Sequence, residues 1–294
     1  MADGPGQFIF RCKMKVVVAQ KCGFCPGVKD AISTAERIVK SEKDVYSLGP
    51  IIHNKDVVER LANSGLRTVK TVDDIPCGTV LIRSHGAAPE EISKIKKKGL
   101  RIVDATCVLV KRLQQIAAQF HKDGYTVVII GDKNHPEVKS VVGCARDAVV
   151  IGADADLDKL GDAGRLGIVC QTTQSPEYFG RMVGNIASKP FIELKAINTL
   201  CREAIKRQES AVELCRKVDI MFVLGGLESA NTRKLAELCR EYNAQTFHLQ
   251  NWAEFDKRIV FGTNTAGVTA GASTPEWIIK EFVNNLEALD TNKA

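Results

Sequence analysis

Residues 101–130 read RIVDATCVLVKRLQQIAAQFHKDGYTVVII, and the rule they follow recurs along the chain. Arg101–Asp104 is a short β-branched run halted by an aspartate, which predicts a strand. Val108–Lys122 spaces Leu113, Ile116, Ala117 and Phe120 three and four apart, which predicts a helix. Thr126–Ile130, after Gly124, predicts another strand. Between the first strand and the helix sits a small polar turn, Asp104-Ala-Thr-Cys107.

Working outward, strands are predicted at Met14–Ala19, Gly78–Arg83, Ala148–Ile151, Gly167–Cys170, Ile220–Leu224 and Ile259–Gly262. Helices are predicted at Val28–Ser41, Lys55–Asn63, Pro89–Lys98, Pro176–Ala187, Ile205–Lys217, Thr232–Glu241 and Pro275–Ala288. Alternating strands and helices imply an α/β fold with parallel sheets. Small or polar motifs follow many of the strands: Cys22-Gly-Phe-Cys-Pro-Gly, Arg83-Ser-His-Gly, Asn134-His-Pro-Glu, Cys170-Gln-Thr-Thr, Gly225-Gly-Leu-Glu-Ser-Ala-Asn-Thr and Thr269-Ala-Gly-Ala-Ser-Thr-Pro-Glu. Ligands of such sheets bind beyond the carboxyl ends of strands. The spacing suggests three similar small α/β units: 26–105, 106–199, and 14–25 joined with 200–290. Residues 1–13 read as a flexible leader.

The 294 residues are 45% hydrophobic and 26% charged, with a net charge of +6, as expected of a globular protein. No apolar run approaches the roughly 18 residues that span a bilayer. The amino terminus lacks a signal-peptide core, so a cytoplasmic location is expected. The basic residues are too evenly spread to argue for nucleic acid. The run Lys94, Lys96, Lys97 and Lys98 reads as a solvated helix face. A mild positive balance suits a small polyanion or an acidic electron-donor protein.

Ten cysteines are scattered over the chain rather than set as a dense disulfide framework. Cys25, Cys107 and Cys201 each stand at a turn leading into a helix, where a thiolate is favoured and makes a soft metal ligand. Brought together from distant parts of the chain they make a three-thiolate site, which leaves one iron of a cubane cluster without a protein ligand. Spacing alone leaves other readings open. Any of the three could be a buried structural cysteine, and Cys22 with Cys25 forms a C-x-x-C that suits a redox dithiol or half a zinc site, although no second C-x-x-C follows. Cys12, Cys77, Cys144, Cys215 and Cys239 are read as buried structural cysteines.

Three of the five histidines, His53, His85 and His135, lie in polar turns and suit an anion site. Glu137, two residues after His135, is the candidate acid for delivering protons. Thr172, Thr173, Ser229, Asn231 and Ser273 are short polar groups in turns of the kind that cradle phosphate, although such residues also serve as ordinary helix caps.

These motifs together resemble the IspH (LytB) family of 4-hydroxy-3-methylbut-2-enyl diphosphate reductases. Gly23-Phe-Cys-Pro-Gly-Val, Ile52-His-Asn, Ser84-His-Gly, Asp104-Ala-Thr-Cys, His135-Pro-Glu, Gln171-Thr-Thr, Asn198-Thr-Leu-Cys, Arg207-Gln and Thr269-Ala-Gly-Ala-Ser-Thr-Pro occur in the family's order from about Met14 to Leu286. The resemblance implies a trefoil of three α/β units around a central 4Fe-4S cluster held by Cys25, Cys107 and Cys201. It implies two-electron reductive dehydroxylation of the diphosphate substrate to isopentenyl and dimethylallyl diphosphate, a step of isoprenoid biosynthesis by the methylerythritol phosphate pathway. Glu137 matches the proton-relay acid and Thr172 its partner. His53, His85, Ser229, Asn231 and Ser273 match diphosphate contacts, and His135 another pocket histidine. Reduced ferredoxin or flavodoxin is the implied donor, with neither nucleic acid nor membrane as a partner.

The chain departs from the family pattern at Glu228 and Ala230, at Glu203 and Ala204, and at Val108. Two hydroxyls are lost and two carboxylates gained near the expected anion pocket, where like charges are costly. These changes leave open a divergent cluster reductase acting on another hydroxylated substrate. A non-catalytic iron–sulfur sensor is a further alternative.

Overall fold

A computed structural model describes residues 14–161 and 164–289. The leader and Cys12 lie outside the described residues. In chain order the elements begin with β1 (Lys15–Val18), α1 (Pro26–Ser41), β2 (Val45–Leu48), α2 (Lys55–Asn63), β3 (Leu66–Val69), β4 (Thr79–Ile82), α3 (Pro89–Lys97) and β5 (Arg101–Asp104). There follow α4 (Val108–Lys122), β6 (Thr126–Ile130), α5 (Pro136–Val142), β7 (Val149–Ile151), β8 (Arg165–Cys170), α6 (Pro176–Ala187) and β9 (Glu193–Ala196). The chain continues through α7 (Arg202–Cys215), β10 (Ile220–Leu224), α8 (Ala230–Tyr242), β11 (Thr246–Leu249), β12 (Thr265–Ala270) and α9 (Glu276–Glu287).

The strands form three parallel four-stranded sheets, ordered β3-β2-β4-β5, β7-β6-β8-β9 and β11-β10-β12-β1. The order repeats: the first strand of each set lies between the second and the third, and the fourth flanks the third. In the last sheet β1, from the start of the chain, occupies the fourth place. The opening stretch is therefore not one β–α–β unit, because β5 and β6 belong to different sheets. In each sheet the chain leaves the two central strands in opposite directions, which opens a crevice at their carboxyl ends. The turn after each fourth strand leads to a predicted ligand: β5 to Cys107, β9 to Cys201 and β1 to Cys25.

Two compact units result. Phe24–Gln208 holds the first two sheets, and the segments up to Gly23 and from Glu209 hold the third. The central strands are buried on both faces, as β10, Ile220–Leu224, illustrates with every residue buried. Gly167 in β8 allows α4 to approach, because a Cβ there would lie 2.6 Å from Cγ of the buried Phe120 ring. Gly167→Ala should therefore overpack the seam between β8 and α4 and cost about 1–3 kcal/mol. A lower urea midpoint with an unchanged slope would verify this.

Some sequence expectations need correction. Ile259–Gly262 is not a strand. Lys257–Val260 is a short 3₁₀ turn, and the strand that pairs with β10 is Thr265–Ala270. Its small residues concealed it, yet they are required: a Cβ on Gly267 would lie 2.7 Å from Met221 Sδ and 2.9 Å from Val218 Cγ2. Helix α5 and strands β2, β3, β9 and β11 were not anticipated, since four to seven residues carry too little periodicity. Cys77 is exposed and Cys144 half-buried rather than core, whereas Cys215 and Cys239 are buried.

Candidate functional site

In the Phe24–Gln208 unit the candidate residues come together through the paired crevices of its two sheets. Ile130 of β6 pairs level with Cys170 of β8, so the turns beyond them are neighbours. The first turn opens α5 with His135 as its cap and brings in Glu137; the second carries Thr172. Glu137 is 2% exposed and meets Thr172 twice: Thr172 N donates to Oε1 at 2.7 Å and its hydroxyl to Oε2 at 2.8 Å. Burial pushes the Glu137 carboxyl above its ordinary value, against the pull of those two bonds. The same turn reaches the third cysteine, because Cys201 N donates to Thr172 O at 2.8 Å.

His53 and His85 follow the two central strands of the other sheet, β2 and β4. Their rings lie 5.4 Å apart, and His85 lies 5.4 Å from His135, edge to face. His135 Nδ1 accepts from Glu137 N at 3.2 Å, so the ring's proton sits on Nε2, which is left as a donor. Burial, with the nearby His53 and Arg83, lowers the His135 pKa to about 4. His85 is held well below the usual imidazole value by burial and by the charges of His135, Arg83 and His53. Its Nδ1 is buried and unbonded among the described residues. Burial therefore favours the neutral ring at His85 and His135, which lie beside His53.

Sequence reasoning missed a brace between these groups. Ser140 Oγ donates to His85 O at 3.0 Å and to Glu137 O at 2.7 Å. Ser140 lies three positions after Glu137 on the same helix face, a spacing that carries meaning only once α5 is recognised. Arg83, quoted above only as part of a turn, also belongs to this neighbourhood.

Cys107 joins the same network. Its N–H donates to Ser84 O at 3.0 Å, next to His85. A Cβ on Gly27, in the first turn of α1, would lie 2.9 Å from Cys107 Sγ, which sets the helix capped by Cys25 against Cys107. Cys25 Sγ accepts from Val28 N at 3.4 Å. All three cysteines are free thiols and half-buried. The thiolates expected from helix N-termini are not what the isolated thiols favour: burial pushes Cys25 and Cys107 up and outweighs the amides at the helix starts. The charges of Cys107 and Cys201 push Cys25 up further, and Arg207 pulls it down.

Three gathered sulfurs, of which Cys25 and Cys107 resist ionisation, fit a cationic centre that would stabilise their charge. They are not arranged for one ion. A single zinc with bonds of about 2.3 Å holds its sulfurs within roughly 4 Å of one another. Among the described residues no three His, Cys, Asp or Glu side chains approach closely enough to hold a single ion. A cubane cluster spreads its thiolates over separate irons and fits a wider set.

The remaining candidates belong to the other unit. Ser229 is buried and caps α8, its Oγ accepting from Thr232 N at 3.4 Å and from Thr232 Oγ1 at 3.0 Å. Asn231 lies in the first turn of that helix. Ser273 is buried in the turn after β12. The two turns approach closely, because a Cβ on Gly271 would fall 2.1 Å from Thr232 Oγ1. Ser229, Asn231 and Ser273 thus share the carboxyl edge of the central pair β10 and β12.

The departures are milder than their charges suggest. Glu228 is exposed, and Glu203 turns toward Lys206 at 3.9 Å. Neither is a desolvated carboxylate, so the expected like-charge penalty is largely screened. Ala204 is buried, and Val108 is exposed at the surface.

The sequence model of the family described as LytB protein matches residues 16–287. The 4-hydroxy-3-methylbut-2-enyl diphosphate reductase of Pelobacter propionicus is 44% identical over 274 residues, covering 93% of this chain and 98% of that protein. Its namesake in Aquifex aeolicus is 40% identical over 279 residues, covering 93% and 96%. A solved structure of (E)-4-hydroxy-3-methyl-but-2-enyl diphosphate reductase, the terminal enzyme of the non-mevalonate pathway, aligns with a TM-score of 0.70 and 40% identity over 94% of this chain and 100% of that one. The structure of the E-1-hydroxy-2-methyl-but-2-enyl-4-diphosphate reductase from Plasmodium falciparum aligns with a TM-score of 0.89 and 30% identity over 95% and 90%. Identity of this order across nearly the whole of each chain marks an ordinary rather than a divergent relative. The repeated sheet order, the residues gathered beyond the strand ends and this end-to-end similarity agree: the chain belongs to the LytB family.

Proposed function

We propose that the protein is an iron–sulfur reductase that converts 4-hydroxy-3-methylbut-2-enyl diphosphate to isopentenyl and dimethylallyl diphosphate. The observation that carries this reading is the buried Glu137–Thr172 pair, hydrogen-bonded to the turn of Cys201 in the same network that holds Cys107. An acid of raised affinity for protons stands beside sulfurs suited to a redox centre.

The reaction takes two electrons and two protons. The bond from carbon to the allylic hydroxyl breaks, the oxygen leaves as water with one proton, and the allyl fragment takes the other. A 4Fe-4S cluster on Cys25, Cys107 and Cys201, when bound, supplies the electrons and a Lewis acid at the iron that no cysteine holds. Glu137 holds the proton for the departing hydroxyl, and Thr172 fixes the direction in which the carboxyl points. His135 is aligned by the Glu137 N–H and offers its Nε2 proton to the substrate. His53 and His85 bind the anionic end, so that the hydroxyl is held in place by remote binding energy. Ser229, Asn231 and Ser273 form a phosphate-binding edge of their own unit, at a helix N-terminus. Reduced ferredoxin or flavodoxin is the proposed donor. A cytoplasmic location is proposed as well; no helix among the described residues is long and apolar enough to cross a membrane.

The test is anaerobic purification, Mössbauer spectroscopy and a turnover assay with the diphosphate substrate. An intact cluster without turnover would favour another hydroxylated substrate.

The histidines add a pH signature. In the free protein His135 titrates at about 4 and is neutral at pH 7. A bound polyanion raises that value, so binding takes up protons between the two pKa values. Affinity for inorganic pyrophosphate should rise as pH falls from 7 toward 5. Calorimetry at pH 6 in two buffers of different ionisation heat should register net proton uptake.

A further inference from the structure

Arg83 carries a charge that the steps above do not use. It follows β4 and stands two residues before His85. Its guanidinium lies against Gly49, where a Cβ would come within 2.8 Å of Nη1. Gly49 adopts a φ of 72°, which glycine tolerates best, and opens the turn that leads to His53. Arg83 therefore stands between the two histidine-bearing turns of one sheet.

The side chain is half-buried, and burial depresses its pKa. Among the described residues it has no hydrogen-bond or ion-pair partner. Glu91 is the acid whose charge acts on it, but Glu91 Oε2 already accepts from Ala88 N at 3.0 Å at the start of α3. A cavity of about 20 Å³ bounded by Leu48, Ile82, Arg83, Gly86, Ala87 and Glu91 has room for about one water. A guanidinium taken partly out of water without a partner is costly, and its planar fork matches phosphate oxygens. The three histidines supply ring donors to an anion, and burial disfavours a charge on His85 and His135.

We propose that Arg83 is a positioning and specificity residue for the anionic end of the substrate, its permanent positive charge set behind the His53, His85 and His135 rings to complement a diphosphate. This rests on reading the histidine set as the anion end. Arg83 acts through the rings: it disfavours protonation of His85 and His135 and attracts the arriving polyanion. The charged or titratable groups acting on His135 are His53, Asp132 and Arg83; those acting on His85 are His135, Arg83 and His53.

The test compares wild type, Arg83→Met, Arg83→Lys and Glu91→Gln as cluster-loaded protein. It measures pyrophosphate binding by calorimetry and turnover of the diphosphate substrate. Arg83→Met should weaken pyrophosphate roughly 10- to 100-fold, the scale of a lost charge-assisted contact. KM should rise in step while kcat changes less than about threefold. Arg83→Lys should recover part of the loss, and the difference between wild type and Met should shrink as salt is raised. The onset of tighter binding on acidification should move to higher pH in Arg83→Met, because His85 and His135 then protonate more easily. Glu91→Gln should bind as wild type does.

Equal affinity in wild type and Arg83→Met would overturn the proposal and leave Arg83 as a structural partner of Glu91. In that case both variants would lose thermal stability alike. Should Arg83→Met not fold, unchanged affinity and pH profile in Arg83→Lys together with unchanged salt dependence would overturn it equally. Wild-type protein that neither binds pyrophosphate nor turns over the diphosphate would bring down the histidine-pocket reading itself.

Discussion

Cys107→Ser is expected to yield a folded protein with no stable cluster and turnover below about a thousandth of wild type, the scale seen when one member of an interdependent catalytic group is lost. The fold should tolerate the change. Cys107 caps α4 without a side-chain hydrogen bond, and serine is a favoured residue at that place. Its N–H to Ser84 O is a backbone contact that survives substitution. The soft thiolate is lost, and a hydroxyl does not replace it on iron. Iron and sulfide analysis, the visible absorbance of the anaerobic protein and circular dichroism check the three parts. Near-normal iron content with full turnover would remove Cys107 from the proposed site. Cys25→Ser and Cys201→Ser should behave alike, whereas Cys77→Ser, at an exposed position, should change nothing.

Glu137→Gln is expected to keep the cluster and lower kcat by about 10²- to 10⁴-fold, the usual contribution of a positioned acid. The amide is nearly isosteric. Its oxygen can still accept from Thr172 N, while its NH₂ faces the Thr172 hydroxyl, which can rotate to accept. The proton available for the departing hydroxyl is what disappears. KM should move little, because the anionic end is bound elsewhere. The pH dependence has a definite sign. A carboxyl whose folded pKa is raised contributes its full stability below the unfolded value and loses it as pH rises through the folded one. Wild type should therefore lose stability relative to Glu137→Gln as pH climbs above the ordinary glutamate range. Over the same window wild-type kcat should fall as the donor deprotonates. A thermal scan at pH 5 and pH 8 and a kcat profile measure the two. A flat profile with unchanged kcat in Glu137→Gln would remove Glu137 from the role of proton donor.

Much of the site was readable from local sequence because its parts sit where strands end. Cys107, His85 and Thr172 each occupy a short turn between an apolar run and a helix, and such turns announce themselves through Gly, Pro, Asp and small polar residues. The helices α2, α4 and α6 were bounded to the residue, because each is at least nine residues long and has clear periodicity. What failed was short or made of small residues. β12 was misplaced because Thr265–Ala270 is chosen to fit beneath Met221 and Val218, a demand made by its neighbours rather than by strand propensity. α5 went unseen, and with it Ser140.

The order of the chain determined which groups are present and at which turn: the three thiols, the histidines, the acid and the hydroxyls, together with the alternation that makes parallel sheets. Folding alone decided which turns face each other. Sheet order places the loops after β6 and β8 side by side, and that adjacency joins Glu137 to Thr172 across 35 positions and surrounds the carboxyl with protein. Proton affinities follow from burial. The high value at Glu137, the low ones at His85 and His135 and the reluctance of Cys25 and Cys107 to ionise all arise from removing water, which is a property of packed neighbours and has no counterpart in the order of residues.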